Sequence, residues 1–134
     1  MVSKNFLKGH PKAGRPTNFA PQISYGEKIH TIRTNYTYWE KIVNDVNSGR
    51  GVLSLRQWEG KPYNSKPLEI AQLTKLGIQQ VTIMNNLVWL NERYLDDWEV
   101  EKLAKNDGLN KTDFEDWFNK DVQAAIIHFT DFRY

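Results

Sequence analysis

The sequence predicts an α+β domain built on a small, curved sheet or barrel of about six strands, edged by three or four helices. Three observations carry this. Short segments of strand character recur along the chain. Helical patterns interrupt them irregularly rather than in βαβ alternation. Glycine, proline and asparagine punctuate the joins, where tight turns need them.

Residues 1–18 form a basic arm. Its Gly/Pro-punctuated part, residues 7–17, predicts an ordered loop, with Lys8, His10, Lys12 and Arg15 available to phosphate. Thr17 is placed to cap a short helix carrying Phe19 and Ile23, and Gly26 ends it. Asn35 is the expected N-cap of an amphipathic helix whose Trp39, Ile42, Val43 and Val46 share one face, with Trp39 as core anchor and Gly49 as its stop.

Val52–Trp58 and Leu68–Thr74 read as two strands pairing antiparallel, with Leu53 and Leu55 on one face and Ser54, Arg56 and Trp58 on the other. The loop between them is basic and aromatic, containing Lys61, Tyr63 and Lys66. Ile78–Met84 and Leu87–Leu95 flank Asn85-Asn86, a hairpin turn, because asparagine tolerates positive φ. Residues 96–121 form a helical insertion: one helix from Asp96 to Lys105 stopped at Asn106-Asp107-Gly108, then a second opened by a Thr112-x-x-Glu115 capping box and buried through Phe114, Trp117 and Phe118. Ala124–Phe132 is the last strand.

A chain of 134 residues suits one domain spanning 1–134. No apolar run approaches the ~20 residues of a membrane span, and the opening residues lack a signal-peptide core, so a cytoplasmic, non-membrane protein is expected. With no cysteine there is neither disulfide nor thiolate metal site. Charge is unevenly divided: residues 1–75 hold 12 Lys/Arg against 5 Asp/Glu, and residues 76–134 hold 6 against 11. Such a field draws an anionic partner to one side.

Polar groups concentrate in Tyr25–Asn35. On a strand, Thr31 and Arg33 point to one face, and Lys28 reaches the same rim from the turn after Gly26. An ammonium, a hydroxyl and a guanidinium on one rim suit an anion or a polar heterocycle such as a nucleobase. The same Lys28 and Arg33 would also serve as partners of surface carboxylates. His30 alternates away from Thr31 and Arg33 and is expected to be structural. The three histidines form no i, i+4 pair, and no P-loop or nucleophile elbow occurs, so no metal or other cofactor is expected.

Gly26-x-Lys28-x-x-Thr31-x-Arg33 resembles the signature of the ASCH domain family, whose fold is related to the PUA domain. The strand at Gly51–Leu55, the strand Leu68–Thr74 and the late helical insertion resemble further family elements, so the likeness spans roughly residues 19–132. Lys28–Tyr36, Ser54–Tyr63 and Gly9–Gly14 resemble an uncharacterised bacterial and phage branch. The resemblance implies a PUA-like barrel with a cleft at the signature and an RNA or nucleotide-like ligand. Some small relatives are amidohydrolases acting on N4-acetylcytidine. There a Lys and a Thr of the signature and a Glu on a later strand are assigned to catalysis. Lys28 and Thr31 match the first two; Glu69 is the candidate for the third, with Glu59 as its alternative.

Two functions are therefore expected, in this order. The first is a binding module for RNA or a modified nucleotide, with Gly26, Lys28, Thr31 and Arg33 at the cleft. Arg56, Lys61 and Lys66 would contact phosphate, and Trp58 or Tyr63 would stack on a base. The second is an amidohydrolase using Lys28, Thr31 and Glu69. A protein-interaction module, docking through the acidic 96–121 helices, is the third reading.

Overall fold

The computed structural model describes residues 1–134 and has the expected α+β architecture. In chain order the elements are α1 (Phe19–Ser24), β1 (His30–Thr34), α2 (Tyr36–Asn47), β2 (Leu53–Trp58), β3 (Pro67–Leu73), β4 (Gly77–Met84), β5 (Leu87–Leu90), β6 (Arg93–Tyr94), α3 (Asp97–Asn106), α4 (Lys111–Trp117) and β7 (Val122–His128). Five strands form an antiparallel sheet in the order β1-β7-β4-β5-β6, while β2 and β3 pair only with each other as a separate ribbon. The five-stranded sheet has β1 at one edge and β6 at the other.

The last strand in sequence is the central one in space. From Ala124 to His128 every residue of β7 is buried, because the strand is covered on both faces. Alternation sends its side chains to two cores. Ala124 and Ile126 join Ile32, Val81 and Ile83 in the larger core, which α1, α3, α4 and the N-terminal arm cover through Phe19, Leu103, Phe114 and Phe6. Ala125 and Ile127 face Val43 and Val46 of α2 and, with Leu76, make the smaller core.

Local signals act largely as chemistry requires. Asn35 accepts the Tyr38 N–H through its side chain at 3.2 Å and opens α2. Asn85 and Asn86 both adopt positive φ in the β4–β5 hairpin. Pro21 falls in the first turn of α1, where a missing N–H costs nothing.

Several expectations need correction. Asn18, not Thr17, is the N-cap residue of α1 and makes no side-chain bond there; the Thr17 hydroxyl accepts the Phe19 N–H at 3.3 Å from one position earlier and donates to the Ser3 carbonyl at 2.6 Å. The capping box of α4 is displaced, with Asn110 as the N-cap accepting from Asp113 N–H at 2.8 Å. A reciprocal box instead opens α3, between Asp96 and Glu99. Leu87–Leu95 is broken into β5 and β6 by a turn at Asn91, which adopts φ 55°. Trp39 is half-buried at the rim of the smaller core, where Val43 and Val46 are the buried anchors. A bulge between Leu55 and Arg56 interrupts the simple alternation expected for β2.

Candidate ligand site

Lys28, Thr31, Arg33 and Asp107 line one small cavity together with Phe19, Trp117 and Phe118; Val2, Ser3 and Ile32 complete its wall. Local structure explains how they meet. Gly26 takes φ 76° after α1, and the chain passes through Lys28 into the edge strand β1, which carries Thr31 and Arg33. Asp107 is the C-cap of α3 and comes from the opposite half of the sequence. It is followed by Gly108 at φ 87°, where an added Cβ would lie 3.0 Å from Phe19 Cδ1 and 3.1 Å from Lys28 Cδ. Glycine there lets the α3–α4 turn close over the Lys28 side chain.

The Lys28 ammonium is buried. It donates to the Asp107 carbonyl at 2.6 Å and to Asp107 Oδ1 at 3.2 Å, and lies 4.3 Å from the centroid of the Phe19 ring. Burial lowers the Lys28 pKa, the Asp107 charge and hydrogen bond oppose that, and Arg33 adds to the lowering. Burial pushes the Asp107 carboxyl up, but the Lys28 ammonium and the His30 hydrogen bond more than offset it. Asp107 is held below the usual carboxylate range.

His30 is fully buried and belongs to the same network. With its Nδ1–H donating to Asp107 Oδ1 at 3.2 Å, its Nε2 accepts from the Tyr134 hydroxyl at 2.5 Å. The Tyr134 oxygen in turn accepts from Asn106 Nδ2 at 3.0 Å. Burial raises the Tyr134 pKa, which keeps its proton in place. The chain Tyr134–His30–Asp107–Lys28 thus has its donors and acceptors in consistent order, and it fixes one Asp107 oxygen while leaving Oδ2 without a protein partner. The Arg33 guanidinium donates to the Ile32 carbonyl at 3.1 Å and to the Met1 carbonyl at 2.8 Å. A wall with a cation, a guanidinium, a hydroxyl and a carboxylate beside aromatic rings can read the polar edge of a flat heterocycle and pack its face.

The other predicted residues sit on the β2–β3 ribbon. Arg56, Lys61, Tyr63 and Lys66 are exposed, and Trp58 is half-buried with its ring centroid 5.2 Å from that of Tyr63. None of them lines the Lys28 cavity. Glu69 does not reach the cavity wall either. It stands opposite Arg56 across the ribbon, accepts from Ser54 Oγ at 2.5 Å and from Gln72 Nε2 at 3.2 Å, and has its pKa lowered by those two bonds, Ser54 first. The carboxylate that faces Lys28 is Asp107. Its sequence context, Asn106-Asp107-Gly108, signals only a helix end. The overlooked signal lay in Lys28 itself, since an ammonium drawn into the core needs a counter-charge.

In the arm, His10 is buried against Phe6 and Trp117 rather than presented to phosphate. Its Nε2–H donates to the Asp113 carbonyl at 3.1 Å while Nδ1 accepts from Lys12 N–H at 3.0 Å. Lys12 pairs with Asp113 at 2.7 Å. Side chains of His10, Asp113 and Asp116 approach within 4.8 Å of one another, but both histidine nitrogens and the Asp113 carboxylate already have protein partners. No helix is long and apolar enough to cross a membrane. Compared with protein-family models, with curated proteins and with solved structures, the chain matches none.

Proposed function

We infer that this protein is an ASCH-like binding module for a modified nucleotide or an unstacked base of RNA, held at the Lys28–Thr31–Arg33 wall. On this reading the five-stranded sheet and the β2–β3 ribbon together correspond to an opened form of the PUA-like barrel. The observation that supports it is the convergence of Lys28, Thr31, Arg33 and Asp107 on one aromatic-sided cavity. Lys28 and Arg33 donate to ring or phosphate oxygens, Asp107 accepts from an exocyclic amine, and the ring packs beside Phe19 and Trp117. The ribbon adds cations for neighbouring phosphates, namely Arg56, Lys61 and Lys66, and Tyr63 offers an exposed stacking face. Titrations with cytidine, N4-acetylcytidine and a single-stranded 12-mer RNA test this. Saturable binding that Arg33→Gln weakens supports the reading. For the 12-mer, Lys61→Ala and Lys66→Ala each flatten the salt dependence by about 0.7 in slope. Absence of binding by all three probes at low salt overturns it.

A second reading, an amidohydrolase acting on an acylated nucleoside, draws on the same convergence with Asp107 as the carboxylate in place of Glu69. Release of acetate from N4-acetylcytidine, abolished by Thr31→Val, is its test; a nucleoside bound and left intact sinks it.

A further inference from the structure

The cavity at the signature is too small for the ligand just described. Its volume is about 20 Å³, on the scale of a single water. What fills the remaining space is the chain's own first residues. Val2 is 4% exposed and belongs to the larger core beside Phe19, and Val2 and Ser3 both line the cavity with Lys28, Thr31, Arg33 and Asp107. The Met1 carbonyl accepts the Arg33 guanidinium at 2.8 Å. A backbone oxygen therefore stands where a ligand carbonyl or phosphate oxygen would meet that donor, and an aliphatic side chain lies among the aromatic groups that would pack on a base.

We propose that Met1–Ser3 is a displaceable strap that occludes the nucleotide site by imitating its ligand, and that binding requires the strap to lift. This rests on the proposed nucleotide-binding role of the cavity. Beyond the Val2 contacts, the strap is tied by few bonds. Val2 N–H donates to the Arg56 carbonyl at 2.7 Å, Arg33 holds the Met1 carbonyl, and the Thr17 hydroxyl holds the Ser3 carbonyl at 2.6 Å. The following part of the arm is better fixed, through the Asn5–Pro16 bridge, the Phe6–His10–Trp117 rings and the Lys12–Asp113 pair. Residues 1–3 can therefore move while residues 5–17 stay docked. Because Val2 N–H is bonded to Arg56, opening the strap also frees a backbone acceptor on the ribbon. The site and the ribbon are linked through this one segment.

Linkage sets the size of the effect: a site competent only when the strap is open has its apparent affinity reduced by the open fraction. Removing the Thr17 hydroxyl, which also accepts from the Phe19 N–H at 3.3 Å, raises that fraction without changing any side chain that lines the cavity. The chain has no native cysteine, so Val2→Cys gives a single alkylation probe of opening that needs no ligand. In the 134-residue chain, Thr17→Val in the Val2→Cys background is expected to speed maleimide labelling about tenfold. Thr17→Val alone is expected to tighten N4-acetylcytidine binding by a similar factor, and N4-acetylcytidine is expected to accelerate labelling of Val2→Cys. Labelling no faster with Thr17→Val overturns the strap whatever the binding result. Labelling that quickens while affinity stays at the wild-type value shows that ligand enters without displacing the strap, so occlusion fails and the binding role stands. Labelling that quickens with no binding even to Thr17→Val removes the nucleotide role, and occlusion of a nucleotide with it.

Discussion

The protein contains two groupings of the same residue types in opposite environments. At the cavity, Lys28, Arg33 and Asp107 lie in or against the core; on the ribbon, Arg56, Lys61, Lys66 and Glu69 face solvent. In the first grouping Lys28 and Asp107 have been stripped of water, Arg33 is half-buried beside them, and each survives through specific partners. In the second, charges interact mostly through water, where an ion pair contributes little. The comparison teaches where energy and chemistry are held. A buried ammonium fixed by a carbonyl, a carboxylate and an aromatic ring is committed to one geometry, whereas the ribbon's cations remain free to follow a flexible anion.

The largest effect expected from this contrast comes from unbalancing the buried pair. Asp107→Asn leaves Lys28 charged in the core without its counter-ion, and should destabilise the fold by about 3–5 kcal/mol, read as a lower urea midpoint at unchanged slope. Adding Lys28→Met should recover part of that loss, since the cost lies in the orphaned charge. A double variant no more stable than Asp107→Asn alone would mean that the pair is not what holds this corner together.

Next in size is a pH effect centred on the same network. Burial, with His30 and Arg133 adding, pushes the His128 pKa down to about 3. The unfolded chain protonates this histidine near its ordinary value of about 6.5. Between those values the unfolded state binds a proton that the folded state refuses, so stability falls as pH falls through 6.5 and continues falling towards 3. Asp107, held low, adds a further loss below its unfolded pKa of about 3.9 as its ion pair is protonated. His128→Phe should flatten the decline between pH 6.5 and 4, with Gln79 Oε1 still accepting the Tyr134 N–H at 3.0 Å. Urea midpoints at a series of pH values check this, and parallel curves for the two proteins would refute it.

A smaller change is expected at Tyr134. Tyr134→Phe removes the hydroxyl that joins His30 to Asn106 and should cost about 1–3 kcal/mol, since it leaves buried polar atoms unpaired. If the hydroxyl is merely peripheral, thermal unfolding of the variant will match the wild type.

Much of this architecture was legible because it follows from local chemistry. Asn35, Gly49 and Asn85-Asn86 mark turns and caps by their own conformational preferences, and the apolar spacing of Val43 and Val46 fixes the buried face of α2. Lys28, Thr31 and Arg33 came to one wall for the same reason: they are close in sequence, Lys28 in the turn that leads into the edge strand and Thr31 and Arg33 on that strand. What stayed hidden required contacts across the chain. Asp107 is 79 residues from Lys28, and nothing in a helix-ending Asn-Asp-Gly says which core it caps. Tyr134 and His30 are likewise joined only by the fold. Within the arm composition misleads at His10, because a basic residue there suggests a solvent-facing phosphate contact, whereas His10 is held by aromatic packing and two hydrogen bonds to backbone, while Lys8 and Arg15 are exposed. In β7 the unbroken apolar run Ala124-Ala125-Ile126-Ile127 suits a strand covered on both faces, but which strands flank it, β1 and β4, only the fold shows.

The smallest effect is the one that separates the two groupings most directly. Glu69→Gln keeps the shape of the side chain and its acceptor for Ser54, and removes only a solvent-facing charge opposite Arg56. On the ribbon such a charge is screened and its neighbours are free to reorient, so the variant should unfold as the wild type does and bind N4-acetylcytidine unchanged. Asp107→Asn makes the same carboxylate-to-amide exchange at the cavity and should abolish that binding at a temperature where the variant is still folded, because Lys28 loses its counter-charge and the amide NH2 that replaces Oδ2 can no longer accept from the ligand. Measured side by side, the pair of variants asks which carboxylate serves the site. A loss of binding in Glu69→Gln equal to that in Asp107→Asn would place the ribbon's acid in the ligand's reach and overturn the assignment to Asp107.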